Sequence, residues 1–281
     1  MRAFVTGSNG QLGRALRKLL GAKRVAWAGG KDDLDIREPE AVARLVREVE
    51  PDVIFNAAAY NNVDVAETEI GQALAVNAAG PAFLARAARD VGAVIVHVST
   101  DYVFDGAQNR PYTEDDCPHP LSVYGVSKLA GEQLVRSSGA AYLVVRTSAV
   151  FGARGSRTKG GSFVDRILAR ARSGQPLKVV ADQAISPTYA PDLAAALVGL
   201  VRKHARGILH VTNSGSCTWH ALAVEALKYA GIDAPVAEIR ARDLLTPAHR
   251  PPHAILSKER YESLGLAQLR TWSEALKEFL S

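Results

Sequence analysis

Arg2-Ala-Phe-Val-Thr6 running into Gly7-Ser-Asn-Gly10-Gln-Leu-Gly13 decides the fold. A short β-rich stretch enters a glycine turn, and a helical pattern with Leu12, Leu16, Leu19 and Leu20 on one side follows. Strand, glycine turn and helix form the context that a dinucleotide fingerprint requires. Gly7 permits the tight turn, Gly10 lets the backbone approach a pyrophosphate, and Gly13 lets the helix pack closely on the strand. The helix N-terminus then faces the phosphate charge. The spacing is G-x-x-G-x-x-G rather than G-x-G-x-x-G, a variant of that fingerprint. A glycine-rich turn without a ligand is the plain alternative, so the rest of the chain has to decide.

Working outward, Arg24–Ala28 reads as the second strand. The acidic residue that would bind the ribose 2′-hydroxyl of NAD is missing after it, since the chain runs Gly29-Gly30-Lys31. Lys31, with Arg14, could accept a 2′-phosphate, which leans toward NADPH over NADH; a solvated Lys31 is the other reading. Glu38–Glu48 is an amphipathic helix with Pro39 near its first turn. Pro51-Asp-Val-Ile-Phe-Asn56 is the third strand and empties into Ala57, Ala58 and Ala59, small residues that let a flat ring or ribose sit close. A long helix, Ile70–Val91, carries Asn77. Ala93–Val98 and Ala141–Ser148 are the fourth and fifth strands. Strands alternating with helices imply an α/β doubly wound parallel sheet. Ligands in such sheets bind at the carboxyl ends of the strands, where Gly7–Gly13, Ala57–Ala59 and Ser99–Asp101 all fall. Residues 1–150 are expected to form the dinucleotide-binding domain and 151–281 a smaller substrate lobe, with part of 185–211 returning to the first domain.

The fourth strand opens into Ser99-Thr-Asp-Tyr-Val-Phe-Asp-Gly106, and a helix begins at Tyr124-Gly-Val-Ser-Lys128. Tyr124 and Lys128 are four apart, so they share one helix face. An ammonium beside a phenol favours the phenolate, and Thr100 brings a hydroxyl from a strand end. The three make an acid and a hydrogen-bond donor for a carbonyl oxygen, as ketone reduction needs once a cofactor supplies hydride. The spacing alone fits a surface Tyr and Lys equally well; the surrounding sheet gives it weight. Phe151–Gly161, with four glycines and the cations Arg154, Arg157 and Lys159, reads as a lid over phosphates or as a solvated loop.

Composition narrows the function classes. Hydrophobic residues make up 47% and charged residues 22% of 281, which excludes a disordered chain. The net charge of +5 is scattered and not interleaved with aromatics, so no nucleic-acid surface is expected. A nucleotide cofactor or nucleotide-sugar substrate suits a mildly basic cleft. Two cysteines, Cys117 and Cys217, are too few for a disulfide scaffold and are expected as separate thiols. The histidines, including His249 and His253 in a proline-rich loop, show no metal-ligand spacing, so no metal is expected. The N-terminus is already a strand and turn, and no apolar run approaches a bilayer span, so the expected location is cytoplasmic, with no membrane partner.

The chain resembles the extended short-chain dehydrogenase/reductases and, among them, the dTDP-4-dehydrorhamnose reductase family. The resemblance covers essentially the whole length. It rests on Gly7–Gly13, Pro51–Ala59, Val63-Asp-Val-Ala-Glu67, Val76-Asn-Ala78, Ser99–Gly106, Val123-Tyr-Gly125, Lys128-Leu-Ala-Gly-Glu132, Arg146-Thr-Ser148, Ser186–Leu193 and Arg250-Pro251. It implies a two-lobed enzyme that holds NADPH or NADH and reduces the 4-keto group of dTDP-4-dehydro-6-deoxy-L-mannose. By that pattern Gly10, Gln11 and Leu12 contact the pyrophosphate, Asp35 and Ile36 lie at the adenine, and Ala59, Tyr60, Asn61 and Val98 line the ribose–nicotinamide path. Tyr124 protonates the forming alkoxide, Lys128 holds the nicotinamide ribose, Thr100 and Asp101 bind substrate near its carbonyl, and Arg250 belongs to the substrate side. Dimers are common among such enzymes, so a homodimer is the expectation. The pattern departs at Ala149, where these reductases usually carry a tryptophan that meets the sugar, and at Tyr60-Asn61-Asn62. Two other readings stand beside it. One is a nucleotide-sugar epimerase or dehydratase with tightly held NAD+. The other is a non-catalytic regulatory subunit of the kind that accompanies methionine adenosyltransferase.

Overall fold

The structure, a computed structural model, describes residues 1–152 and 161–281. The cations Arg154, Arg157 and Lys159 of the expected lid lie outside the described residues. The strands are β1 (Ala3–Thr6), β2 (Val25–Gly29), β3 (Val53–Asn56), β4 (Val94–Thr100), β5 (Ala141–Thr147), β6 (Val150–Phe151), β7 (Leu177–Val180), β8 (Ala184–Ile185), β9 (Thr188–Tyr189), β10 (Gly207–His210), β11 (Cys217–Thr218) and β12 (Val236–Ile239). The α-helices are α1 (Gln11–Leu20), α2 (Pro39–Val49), α3 (Val63–Ala66), α4 (Ile70–Leu74), α5 (Gly80–Asp90), α6 (Val123–Arg136), α7 (Phe163–Arg172), α8 (Ala190–Arg202), α9 (Trp219–Tyr229), α10 (Glu259–Ser263) and α11 (Trp272–Leu280).

Six parallel strands form the central sheet in the order β2-β1-β3-β4-β5-β10. Side-chain alternation divides its two faces. Ala3, Val5, Val53, Phe55, Leu143 and Val145 pack with α1 and α8. Phe4, Ile54, Ile95 and Val144 pack with α2 and α5 on the other face. Helices therefore cover both faces, which is why these strands are nearly continuous apolar runs. From β1 the chain goes out to β2 and returns to β3 on the opposite side. The strand order reverses at β1, and a crevice opens outside the carboxyl ends of β1 and β3.

β10 is the sixth strand of the sheet, paired to β5 through Gly207↔Leu143 and His210↔Arg146. A separate apolar cluster joins α7, α9, α11 and β7, with Phe151 and Tyr189 among its members. No described helix is long and apolar enough to cross a membrane.

One expected helix carries a defect. Residues 70–90 are helical throughout, but Ala75–Ala79 is a π-helical turn in which the Gly80 N–H donates to the Ala75 carbonyl. Pro81 has no N–H to give the carbonyl four residues back, which is that of Asn77. The wider turn frees that carbonyl and thrusts it toward α6. A Cβ placed on Gly131 would come within 2.1 Å of the Asn77 oxygen. Glycine at 131 is thus what lets the two helices approach.

Candidate active site

The glycine turn is built as its spacing predicts. Gly7 has φ +64°, and a Cβ there would lie 2.6 Å from the Ala57 carbonyl, so the β1 and β3 ends meet closely. A Cβ on Gly13 would lie 2.3 Å from the Gly7 oxygen. Gly10 is the N-cap of α1, with no side-chain cap and no acidic residue in the first turn. The N–H groups of Gln11, Leu12 and Gly13 are therefore left pointing into the crevice with a positive helix end behind them. Gln11 also holds a buried side-chain oxygen without a partner among the described residues.

These groups form the floor of a cavity of about 310 Å³. Gly10, Gln11, Leu12 and Gly13 enter from α1, Ala57, Ala58, Ala59 and Asn61 from the loop after β3, and Val98 and Thr100 from β4. Tyr124 and Lys128 enter from α6, and Thr147, Ser148 and Ala149 from the end of β5. Open helix N–H groups at one end, small alanines beside them and a Tyr–Lys pair at the other fit a nicotinamide dinucleotide. A second cavity of about 540 Å³ adjoins the first and shares Gln11, Asn61, Ala149, Val150 and Gly161 with it. Its wall carries Arg166, Trp219, Phe163 and Arg250. Among the described residues no cluster of His, Cys, Asp or Glu is arranged for a metal ion.

α6 is fixed against the sheet by polar contacts. Its N-cap Ser122 accepts from the Gly125 N–H, and Glu67 accepts from the Val123 N–H at 2.9 Å. A Cβ on Gly125 would meet the Tyr102 oxygen at 2.3 Å, so the helix sits directly on the turn that follows β4. Lys128 is buried and donates to the Val98 carbonyl at 2.6 Å. Asn77, fully buried on the π-turn, accepts from the Tyr60 N–H, donates to the Tyr60 carbonyl at 2.8 Å, and donates to Ser127 on α6. It bridges backbone groups and ties the loop after β3 to α6 at the same time.

The electrostatics correct one expectation. Burial pushes the Tyr124 phenol up to about 12, with the nearby Thr100 hydroxyl partly opposing it, and burial pulls Lys128 down to about 8. Desolvation therefore outweighs any stabilisation of phenolate by ammonium. Asp101 is buried and accepts from Ser148 at 2.6 Å and from Thr100 at 3.0 Å. Burial nevertheless raises it to about 6.

Several expected contacts lie away from the first cavity. Asp35 is held by the Arg37 guanidinium at 2.9 and 3.0 Å, which keeps its carboxyl below the usual range. Ile36 is buried against Gly80. Tyr60 turns its hydroxyl to Glu69 at 2.7 Å. Arg250 pairs with Asp64 at 2.7 Å in the second cavity. Arg14 is exposed and donates to the Asn9 carbonyl beside the glycine turn. Ala149 has φ +41°, a left-handed backbone at a residue other than glycine, where the two cavities meet. Cys117 and Cys217 are separate thiols.

Sequence reasoning missed the buried polar residues beneath the site. Asn56 accepts from Thr6 at 2.7 Å and from the Ala58 N–H, and its amide meets His97 Nδ1 at 3.1 Å. Glu132 and Arg146 form a pair buried below the β4 and β5 ends. Asn56, Glu132 and Arg146 stood inside the strings that carry the family resemblance, but nothing in the linear chain assigned them a role.

A parallel sheet with this crevice, open helix N-terminus and Tyr–Lys pair defines a nicotinamide-dependent oxidoreductase of the Rossmann class. The model of the RmlD substrate binding domain matches residues 1–281. The chain belongs to the dTDP-4-dehydrorhamnose reductase family. A dTDP-4-dehydrorhamnose reductase of Streptomyces griseus is 41% identical over 289 residues, covering 99% of this chain and 92% of its own. A probable dTDP-4,6-dihydroxy-2-methyloxan-3-one 4-ketoreductase of Streptomyces antibioticus is 40% identical, covering 99% of this chain and 94% of its own. The structure of dTDP-4-dehydrorhamnose reductase from Bacillus anthracis in complex with NADP is 36% identical and has a TM-score of 0.94, covering 99% of this chain and 98% of that one.

Proposed function

We propose that this protein reduces the 4-keto group of a dTDP-linked deoxysugar, dTDP-4-dehydrorhamnose first, to the alcohol with NADPH or NADH. The observation that carries it is the single crevice in which Thr100, Tyr124 and Lys128 face the open N-terminus of α1. A bound dihydronicotinamide supplies the hydride. The N–H groups of Gln11, Leu12 and Gly13 hold the pyrophosphate, and Ala57–Ala59 leave room for the ribose. Lys128 reaches the nicotinamide ribose. Thr100 and Tyr124 bind the carbonyl oxygen, and Tyr124 gives up its proton as negative charge develops there. A phenol held near 12 keeps that proton throughout the neutral range, and the developing alkoxide is basic enough to take it. Asp101 holds the Thr100 hydroxyl in place through their hydrogen bond, and Thr100 turns that one proton from Asp101 to the carbonyl oxygen when it binds substrate.

In this reading residues 1–150, together with β10, form the cofactor lobe, and 151–281 supply most of the substrate lobe. The diphosphate lies along the second cavity, where Arg166 and Arg250 stand, with Trp219 and Phe163 as apolar surface. Ala149 favours a second substrate in the same class. Its methyl group takes little space where the sugar passes between the cavities, so a deoxysugar 4-ketone with a different ring substitution also fits.

The test supplies purified protein with NADPH or NADH and enzymatically prepared dTDP-4-dehydrorhamnose, and follows the reduced-nicotinamide absorbance. Loss of absorbance that needs both compounds, with dTDP-rhamnose identified as product, is expected. Cofactor binding without turnover on this ketone or on related dTDP-4-keto deoxysugars would overturn the proposal.

A further inference from the structure

Beneath the Tyr–Lys pair lies a charged group that the reaction does not touch. Glu132 is one helical turn beyond Lys128 on α6 and is wholly buried. Ser99 on β4 donates to its carboxylate at 2.5 Å. Arg146 on β5 donates to it through Nε at 3.0 Å and Nη2 at 2.7 Å. The guanidinium is itself sealed in, with its carbon 5.1 Å from the centre of the Phe104 ring. One carboxylate thus joins the helix to two neighbouring strands, and both strands end at the site.

Burying this pair is expensive, because desolvation of two charges offsets much of their attraction. Packing alone would be served as well by apolar groups, so the charge calls for a further role. Lys128 is 2% exposed, and among the described residues the one hydrogen bond of its ammonium is to the Val98 carbonyl. The other ionisable groups packed around it are accounted for. His97 on β4 is held neutral by burial. Arg146 on β5 is committed to Glu132. Asp101, in the turn after β4, is bound by Ser148 and Thr100. Tyr124 is a neutral phenol on α6, and the π-turn contributes only Asn77, which does not ionise.

We infer that Glu132 is a positioning residue for the reaction: its carboxylate, clamped by Ser99 and Arg146, sets the register of α6 on β4 and β5 and supplies the negative field that keeps Lys128 an ammonium. This rests on the reductase reading for its catalytic consequence. Its structural content can be measured without any substrate. Burial favours neutral Lys128, and the Glu132 charge is the influence that opposes it. Removing that charge leaves the Arg146 cation without its partner and takes away the attraction that offsets the burial of Lys128.

The test titrates Lys128 by NMR in ligand-free protein labelled at the lysine ε-carbon, with the resonance assigned by its loss in Lys128→Met. In Glu132→Gln the titration midpoint should fall by about one pH unit or more. Glu132→Asp keeps the charge and should return the midpoint most of the way to wild type. Should Glu132→Gln fail to fold, the double variant Glu132→Gln/Arg146→Met replaces the buried pair by neutral groups. It is expected to shift the midpoint in the same direction by a smaller amount. A folded variant whose Lys128 midpoint matches wild type overturns the inference. In the kinetic arm, the alkaline limb of the kcat/KM profile should move with the NMR midpoint; a limb that stays in place while the midpoint shifts also overturns it. Absence of wild-type turnover would instead count against the reductase reading, and the NMR result would still decide this one.

Discussion

Replacing Asp101 by asparagine should shift stability increasingly in the variant's favour as pH rises from acid to neutral, while impairing catalysis. Asp101 is 3% exposed and takes hydrogen bonds from Ser148 and Thr100, yet burial lifts its carboxyl from 3.8 to about 6. A raised carboxyl binds its proton more tightly in the folded state than in the unfolded one. Between the two values the folded protein therefore holds more protons, and stability falls as pH rises. A shift of this size corresponds to about 3 kcal/mol, absent below pH about 4 and fully developed above pH about 7. The assay is urea unfolding of wild type and Asp101→Asn at matched pH values, read as the difference between the two. Subtraction removes the other carboxylates, which titrate alike in both proteins. Any fixed cost of reorganising the Ser148 and Thr100 bonds appears as a constant offset. The difference should tilt toward the variant by about 3 kcal/mol from the acid to the neutral end. A difference that does not change with pH would refute the reasoning, because it would mean that Asp101 titrates as it does in the unfolded chain.

Gly13→Ala should weaken binding of the nicotinamide cofactor by roughly tenfold or more, measured by fluorescence titration. The added Cβ meets backbone, the Gly7 oxygen at 2.3 Å and Ser8 Cα at 2.6 Å, and neither can swing aside. Ala149→Gly should raise stability by up to about 1 kcal/mol in denaturant unfolding, since glycine adopts the left-handed backbone at φ +41° without strain. Asn77→Leu should cost on the order of 3 kcal/mol and lower turnover. It strips the Tyr60 N–H and carbonyl of their partners and unties the loop from α6.

Much of the fold could be read along the chain because its signals are local. Short, nearly continuous apolar runs marked the central strands, and the glycine spacing marked the β1–α1 turn. The pair Tyr124 and Lys128 needed only helical geometry to be placed on one face. The buried polar framework is different in kind. Ser99 meets Glu132 across 33 residues, and Asn56 meets His97 across 41. Such partners are set by sheet order, which no single segment encodes. The acidity of Tyr124 was misjudged for a related reason. Spacing shows which charges are near a phenol but not how little water reaches it, and here burial dominates. The π-turn was readable in principle, since Pro81 stands four residues after Asn77 and withholds the N–H that residue's carbonyl would accept. Asp35 looked free for an adenine contact in the linear chain; two residues later Arg37 provides its partner.

The central claim is that Tyr124 delivers the proton in reduction of a dTDP-4-keto deoxysugar. Its most direct test compares Tyr124→Phe with wild type for oxidation of NADPH by dTDP-4-dehydrorhamnose, with cofactor affinity measured alongside. Turnover should fall by roughly a hundredfold to ten-thousandfold while cofactor affinity stays near wild type. Turnover in the variant within a few-fold of wild type would contradict the claim.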